Sequence, residues 1–165
     1  MRRERGLDET VRRFLDRSLS VNVATSDHDG RPLVARAVAA RVSPGISPDG
    51  ERLTVLIDGR ANAVLVAAVA ATGRLAVVFT EPSTHRSIQI KDDGATVAAP
   101  TVDESALPGP YIDGFIAELA GMGFTEAFVR AVMAFDPADL VALHLEPADV
   151  FDQTPGPRAG ERIPA

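Results

Sequence analysis

Arg36 sits inside the apolar run Leu33 to Val42. An arginine in mid-strand is costly to bury unless it meets an anion, although on the open face of an antiparallel sheet it simply points to water. Arg60 and Asn62 lie where a β-branched, apolar run passes into an alanine-rich one. Backbone N–H groups at a helix start, joined by an arginine, suit a phosphate; a surface turn with an asparagine cap would use the same residues. Gln89 falls in the alternating run Arg86 to Lys91, and its amide can donate and accept at the edge of a heterocycle. Thr84, His85 and Arg86 open that run, where His85 and Arg86 are candidates for substrate contact. None of these residues is specific alone; their order along the chain carries more information.

Other chemistries lack support. The 165 residues include no cysteine, which excludes disulfides, cysteine-ligated zinc, iron–sulfur clusters and thiol nucleophiles. His28, His85 and His144 do not have metal-ligand spacing, so no metal site is expected. No Gly-x-Gly-x-x-Gly, Walker or Gly-x-Ser-x-Gly motif occurs. A formal net charge of −6 argues against a primarily nucleic-acid-binding role. The longest weakly polar stretch, Ala61 to Thr72, is too short to cross a membrane. The charged Met1-Arg2-Arg3-Glu4-Arg5 is followed by no apolar run, so no secretory signal is read and the cytoplasm is the expected location.

Hydrophobic periodicity places the candidates on elements. Leu7, Val11, Phe14 and Leu15 recur on one helical face, predicting a helix over Leu7 to Arg17. The period then shortens to two at Leu19, Val21 and Val23, as in a half-buried strand. Asp29-Gly30 marks a hairpin, and a second strand is expected over about Pro32 to Val42. Ser43 to Gly50, with Pro44-Gly45 and Pro48-Asp49-Gly50, reads as a loop, and Arg52 to Asp58 as a third strand. A helix over Asn62 to Thr72 ends at Gly73. Strands are expected at Arg74 to Thr80, buried on both sides, at Arg86 to Lys91 and at Ala95 to Ala98. Ala99 to Pro110 reads as a linker, followed by short helices at about Tyr111 to Ala120 and Thr125 to Phe135, a last strand at Leu140 to Leu145, and a loop-like tail from Phe151. Gly121-Met122-Gly123-Phe124 is superficially similar to a ubiquitin-binding helix turn and is read as an ordinary interhelical turn. The expected whole is one mainly β (α+β) domain over residues 1–165, with six or seven mostly antiparallel strands.

Taken in order, several segments resemble the pyridoxamine 5′-phosphate oxidase-like family, the FMN-binding split β-barrel. They are Val21-Asn22-Val23-Ala24-Thr25-Ser26-Asp27-His28-Asp29-Gly30-Arg31-Pro32, then Arg36-Ala37-Val38, Ile57-Asp58-Gly59-Arg60-Ala61-Asn62, Thr84-His85-Arg86-Ser87-Ile88-Gln89-Ile90-Lys91, and the tail Phe151 to Gly160. The resemblance covers most of the chain and is similar to small bacterial members. It implies an antiparallel split β-barrel with peripheral helices and a C-terminal tail at 151–165; the two-helix insertion at about 110–136 is a departure, absent from the best-known vitamin-forming oxidases of the family. It further implies a homodimer with FMN sites at the subunit interface. Arg36, Ala37 and Val38 would line the flavin through backbone amides and the arginine. Arg60 and Asn62, after Ile57 and Asp58, would meet the phosphate. Gln89 would approach the flavin or its ribityl chain, and Arg158 could reach a site from the partner subunit. Asn62 stands where many members carry lysine or serine, and Gly94 is displaced from the usual glycine after the fifth strand.

The function so implied is FMN-dependent oxidoreduction of a small molecule, with no general acid or base identified. Three other readings stay open on the same barrel: a non-catalytic flavin, haem or tetrapyrrole carrier or sensor; a deazaflavin-dependent reductase; and a structural protein whose insertion fills the site.

Overall fold

A computed structural model describes residues 7–45 and 50–163. Helix α1 spans Glu9–Leu15 and is capped by the Asp8 carboxylate, which accepts from Thr10 N at 2.8 Å. Its buried side, Val11, Phe14 and Leu15, plugs one end of the main core. Strands β1 (Ser20–Ser26) and β2 (Pro32–Arg36) form the expected hairpin, and β3 follows at Ala39–Pro44. The single strand expected over Pro32 to Val42 is therefore two strands. The chain turns a corner at Ala37–Val38 and changes sheets there: Ala37 N donates to Val21 O at 2.9 Å, and Val38 N to Leu56 O at 2.8 Å. Smooth hydrophobicity hides this bend, because both residues stay buried through it. The expected turn at Pro48-Asp49 lies outside the described residues.

Strand β4 (Glu51–Asp58) leads into α2 (Ala63–Thr72), which ends at Gly73 with φ 68°. A side chain at Gly73 would also collide with Asp93 O, 2.5 Å from an ideal Cβ. Strands β5 (Leu75–Thr80), β6 (Ser87–Asp92) and β7 (Thr96–Ala98) follow. The segment expected to be a linker holds α3 (Val102–Ser105) and the start of α4 (Pro108–Ala120); its prolines stand where helices begin rather than where they break. Helix α5 (Glu126–Val132) is shorter than predicted. Strand β8 (Leu140–Leu145) matches expectation, but the tail is not all loop: β9 (Asp149–Asp152) and β10 (Arg162–Ile163) pair antiparallel.

Two antiparallel sheets result, ordered β10-β9-β6-β5-β1-β2 and β3-β4-β8-β7, and together they form the split barrel. Their inner faces meet in one core that includes Val21, Val23, Val55, Ile57, Val77, Phe79, Ile88, Ile90 and Leu143. Strand β5 was expected to be buried on both sides. Instead burial alternates: Leu75, Val77 and Phe79 are inside, while Ala76 and Val78 are half-buried on the outer face.

The insertion has a small core of its own, made of Ile112, Phe115, Leu119, Val129 and Met133. Two polar anchors fasten it to the barrel. The Tyr111 hydroxyl accepts from Leu19 N and donates to Leu19 O, both at 3.0 Å. Burial pushes its phenol well above the ordinary range, so the hydroxyl stays neutral and serves both groups. Glu104 is the second anchor. It closes a capping box with Thr101, accepts from the Thr54 hydroxyl at 3.3 Å, and lies 2.7 Å from His144 Nε2. Burial raises its pKa, but the Thr101 amide and His144 outweigh burial and hold the carboxyl below its usual range.

Both anchors are testable by denaturant unfolding. Tyr111→Phe strands a buried donor and acceptor of Leu19 and should cost about 1–3 kcal/mol. Glu104→Gln should cost about as much near neutral pH. Because the folded pKa of Glu104 is depressed, its stabilisation is present above the unfolded value of about 4.3 and is lost as pH falls through the folded value. The stability gap between wild type and Glu104→Gln should therefore close in acid.

Candidate functional site

Register places the sequence candidates in two groups. Residues opposite one another in an antiparallel pair point to the same face. Arg36 pairs with Asn22, Asn22 with Val78, Val78 with Gln89, and Gln89 with Phe151. Arg36 and Gln89 thus stand in one row on the outer face of the larger sheet, three strand spacings or roughly 14 Å apart. The next row is Val34, Ala24, Ala76, Lys91 and Asp149. Asn22, Ala24, Ala76, Val78, Gln89 and Phe151 are all half-buried, and Val34 is 68% exposed.

Arg36 is exposed and donates to the Ser20 hydroxyl at 3.2 Å. The corner that follows it lies beside the Leu56–Asp58 end of β4, through the Val38-to-Leu56 hydrogen bond. The backbone amides of Ala37 and Val38 are already used by Val21 O and Leu56 O. Of this segment, the Arg36 side chain holds the donors left for a ligand.

Ile57 is fully buried, and Asp58 opens a locked turn. The Asp58 carboxylate accepts from Ala61 N at 2.8 Å, and its carbonyl accepts from Asn62 Nδ2 at 2.8 Å. Asn62 occupies the cap position of α2 without a side-chain cap bond, so the first amides of that helix are not covered by it. Arg60 projects from the turn with 83% of its side chain exposed, 3.8 Å from the Asp139 carboxylate. Gly59 is required there: an ideal Cβ would lie 2.3 Å from Val141 Cγ2 and 3.1 Å from Asp139 O.

Around Gln89 the tail closes in. Gln153 Nε2 donates to Gln89 Oε1 at 3.1 Å, and Gln153 N donates to Ser87 O at 2.9 Å. Arg158 lies 3.9 Å from the Asp152 carboxylate. Asp152 is held below the usual carboxylate range by the Thr154 amide first, with Arg158 and Arg86 adding to it. His85 is exposed in the β5–β6 turn with φ 62°, a left-handed conformation uncommon outside glycine. Arg86 has the parity of Ile88 and Ile90, opposite to Gln89, and stacks on Phe14 of α1 at 4.5 Å. The structure therefore does not bring Arg86 together with Gln89 on one face.

Sequence reasoning missed Arg41. Its Nε is buried and has no hydrogen-bond partner, the one such side-chain atom among the described residues. Arg41 pairs with Thr54, Thr54 with His144, and His144 with Thr96, a polar row across the smaller sheet. The available signal was a second arginine in the same apolar run as Arg36, at a position that reads as solvent-facing unless the corner is known.

No family model and no curated protein matches the chain. Solved structures do. General stress protein 26 of Bacillus anthracis matches at 11% identity over 95% of this chain and 97% of that one, with a TM-score of 0.52. A protein of Clostridium acetobutylicum, related to general stress protein 26 and described as of the pyridoxinephosphate oxidase family, matches at 11% identity over 95% and 94%, with a TM-score of 0.50. A conserved hypothetical protein of Mycobacterium tuberculosis matches at 12% identity over 92% and 88%, with a TM-score of 0.53. The chain has the fold these proteins share.

Gly59→Ala tests how rigidly the Asp58–Asn62 turn is held. Val141 must give way, so a loss of about 1–3 kcal/mol is expected on thermal or denaturant unfolding.

Proposed function

We propose that the chain is an FMN-dependent oxidoreductase acting on a small molecule as a homodimer. The observation that carries this reading is the row Arg36–Asn22–Val78–Gln89 on a half-buried sheet face, running into the corner beside the Arg60 turn. A flavin mononucleotide needs a phosphate site, amide partners and apolar walls, and this surface offers residues suited to each.

The phosphate site is the start of α2. Its first amides lack a side-chain cap, and Arg60 is tethered only at 3.8 Å. Both can turn to a dianion. Asn62 does not serve as a direct phosphate ligand in this reading, because its amide holds the Asp58 carbonyl. Arg36 supplies cationic donors beside the corner. Gln89, steadied by Gln153, presents an amide to a heterocycle edge. Ala24, Ala76, Val78 and Phe151 form apolar wall. A second copy packed on this face would shield those side chains, exclude water from the site and bring its own Arg158 close. FMN, when bound, would supply the redox chemistry by exchanging a hydride with the substrate.

The test is an absorption spectrum of the purified protein with excess FMN, before and after desalting. Flavin bands that stay with the protein are expected. Arg60→Ala should weaken FMN by about tenfold, the equivalent of about 1.4 kcal/mol, with the fold intact by circular dichroism. Complete loss of FMN on desalting, with no saturable binding at equilibrium, would remove this reading; a Soret band on adding haem would replace it with the carrier reading.

A further inference from the structure

The insertion leaves one helix face without a partner. Seven large hydrophobic side chains are exposed among the described residues, and four of them, Met122, Phe124, Phe128 and Val132, fall within eleven consecutive positions on and before α5. Val34, Val64 and Val102 are scattered, as single exposed apolar residues commonly are. Phe124 precedes the Thr125 cap but joins the helix face, because its ring stacks on Phe128 with centres 5.4 Å apart.

Helix geometry divides α5 into sides. At ~100° per residue, Ala131 and Val132 lie within ~60° of Phe128, while Glu126 and Arg130 lie ~160° away. The charges are therefore on the far side, where Arg130 binds Glu126 at 2.7 Å and Asp113 at 2.8 Å. Val129 and Met133 fill the core of the insertion. The remaining circumference, Ala127, Phe128, Ala131 and Val132, is exposed and carries no charge. A helix apolar around most of its girth belongs in an interior or an interface rather than in water.

Area, shape and charge all select a second copy of this chain as the cover. At ~200 Å² for a whole phenylalanine, the exposed parts of Met122, Phe124, Phe128 and Val132 amount to roughly 350 Å² of apolar surface. Doubled across a dyad, and completed by the polar share of about 40% that interfaces carry, this reaches about 1,200 Å², the lower limit of specific protein pairs. The face is also self-complementary. With two α5 helices antiparallel and the dyad level with the Val129–Arg130 peptide, Phe128 of each copy lies level with Ala131 of the other, and Val132 with Ala127. Large side chains meet small ones, as an isologous contact needs. Each chain has a formal net charge of −6, so contact between copies generally opposes like charges; this face brings no charged side chain of α5 to the contact. We propose that two copies of the chain associate through α5, packed antiparallel about this dyad. The contact lies on the insertion, apart from the sheet surface where the flavin reading places a second copy. It does not depend on that reading, and the two contacts together would make a dimer of dimers.

Sedimentation equilibrium of the full chain, over a concentration series reaching about 1 mM, is the test. The wild-type mass at the top of the series is expected to be twice that of Phe128→Asp and of Ala131→Glu, whatever state the sheet surface sets for all three. Both substitutions fall at exposed positions, and their far-ultraviolet circular dichroism should match wild type. The chain has no cysteine, so a single introduced one reports proximity. Ala131→Cys, next to the dyad, should oxidise to a covalent dimer roughly tenfold faster than His28→Cys on the exposed β1–β2 hairpin. Adding Phe128→Asp to the Ala131→Cys chain should remove that advantage. Equal masses for wild type and both variants across the series, or equal oxidation rates for the two cysteines, would overturn the proposal and leave the face to a partner of another kind.

Discussion

The corner at Ala37–Val38 is the constraint on which the rest of the fold depends. Two backbone hydrogen bonds there point into different sheets, Ala37 N to Val21 O and Val38 N to Leu56 O. One continuous chain thus belongs to both sheets, and the angle between them is set at a place buried from water. Buried backbone groups must be paired, so neither bond can be given up cheaply. Everything that converges on the outer surface follows from this crossing. Arg36 is delivered to the edge of one sheet and Arg41 to the other, five residues apart in sequence but on different structural surfaces. The Asp58–Asn62 turn is brought alongside because β4 pairs with β3 just beyond the corner.

The helical insertion obeys a different logic. Its own core is five residues, too few to hold two helices and a loop unaided. The anchors at Tyr111 and Glu104 supply specificity rather than bulk. Tyr111 completes the hydrogen bonding of Leu19 just before β1, and Glu104 ties α3 to β4 and β8 at once. The insertion is positioned by polar groups that have one satisfying geometry, whereas the barrel is positioned by volume. The outer side of α5 remains apolar and open, with Phe124 stacked on Phe128 at 5.4 Å.

Much of this was legible in the sequence, because local rules and the fold agree. The period-two runs, the Asp-Gly hairpin, Gly73 and the helix over Asn62 to Thr72 all read correctly within a residue or two. The errors have physical causes. Ala37 and Val38 have side chains that suit a strand, so the bend between β2 and β3 leaves no trace in hydropathy. Residues Val102–Ser105 were masked by flanking prolines, although Thr101 and Glu104 spell a capping box. Strand β9 is four residues long, and β10 only two; both are created by pairing with neighbours rather than by propensity. Of the candidate site, the residue types were visible but their allocation to faces was not. Ala37, Val38 and Asn62 were expected to offer donors to a ligand, and the fold spends those donors on itself.

Parity along β6 explains why one strand serves two surfaces. Gln89 and Lys91 face outward beside Val78 and Ala76, while Ile88 and Ile90 face the core. Arg86 continues the inward series one step past the strand end, where the core gives way to α1, and so a cation that would be intolerable at position 88 is tolerable over Phe14. A shift of one residue in the β5–β6 register would exchange these roles and bury Gln89 and Lys91. The left-handed His85 lies in the turn that sets that register: its amide bonds to Glu81 O at 2.8 Å, and Glu81 N to Arg86 O at 2.9 Å closes the loop around it. His85 therefore acts through the backbone. Its conformation fixes which of its neighbours face the outer sheet and which face α1, even though its own imidazole stands in solvent.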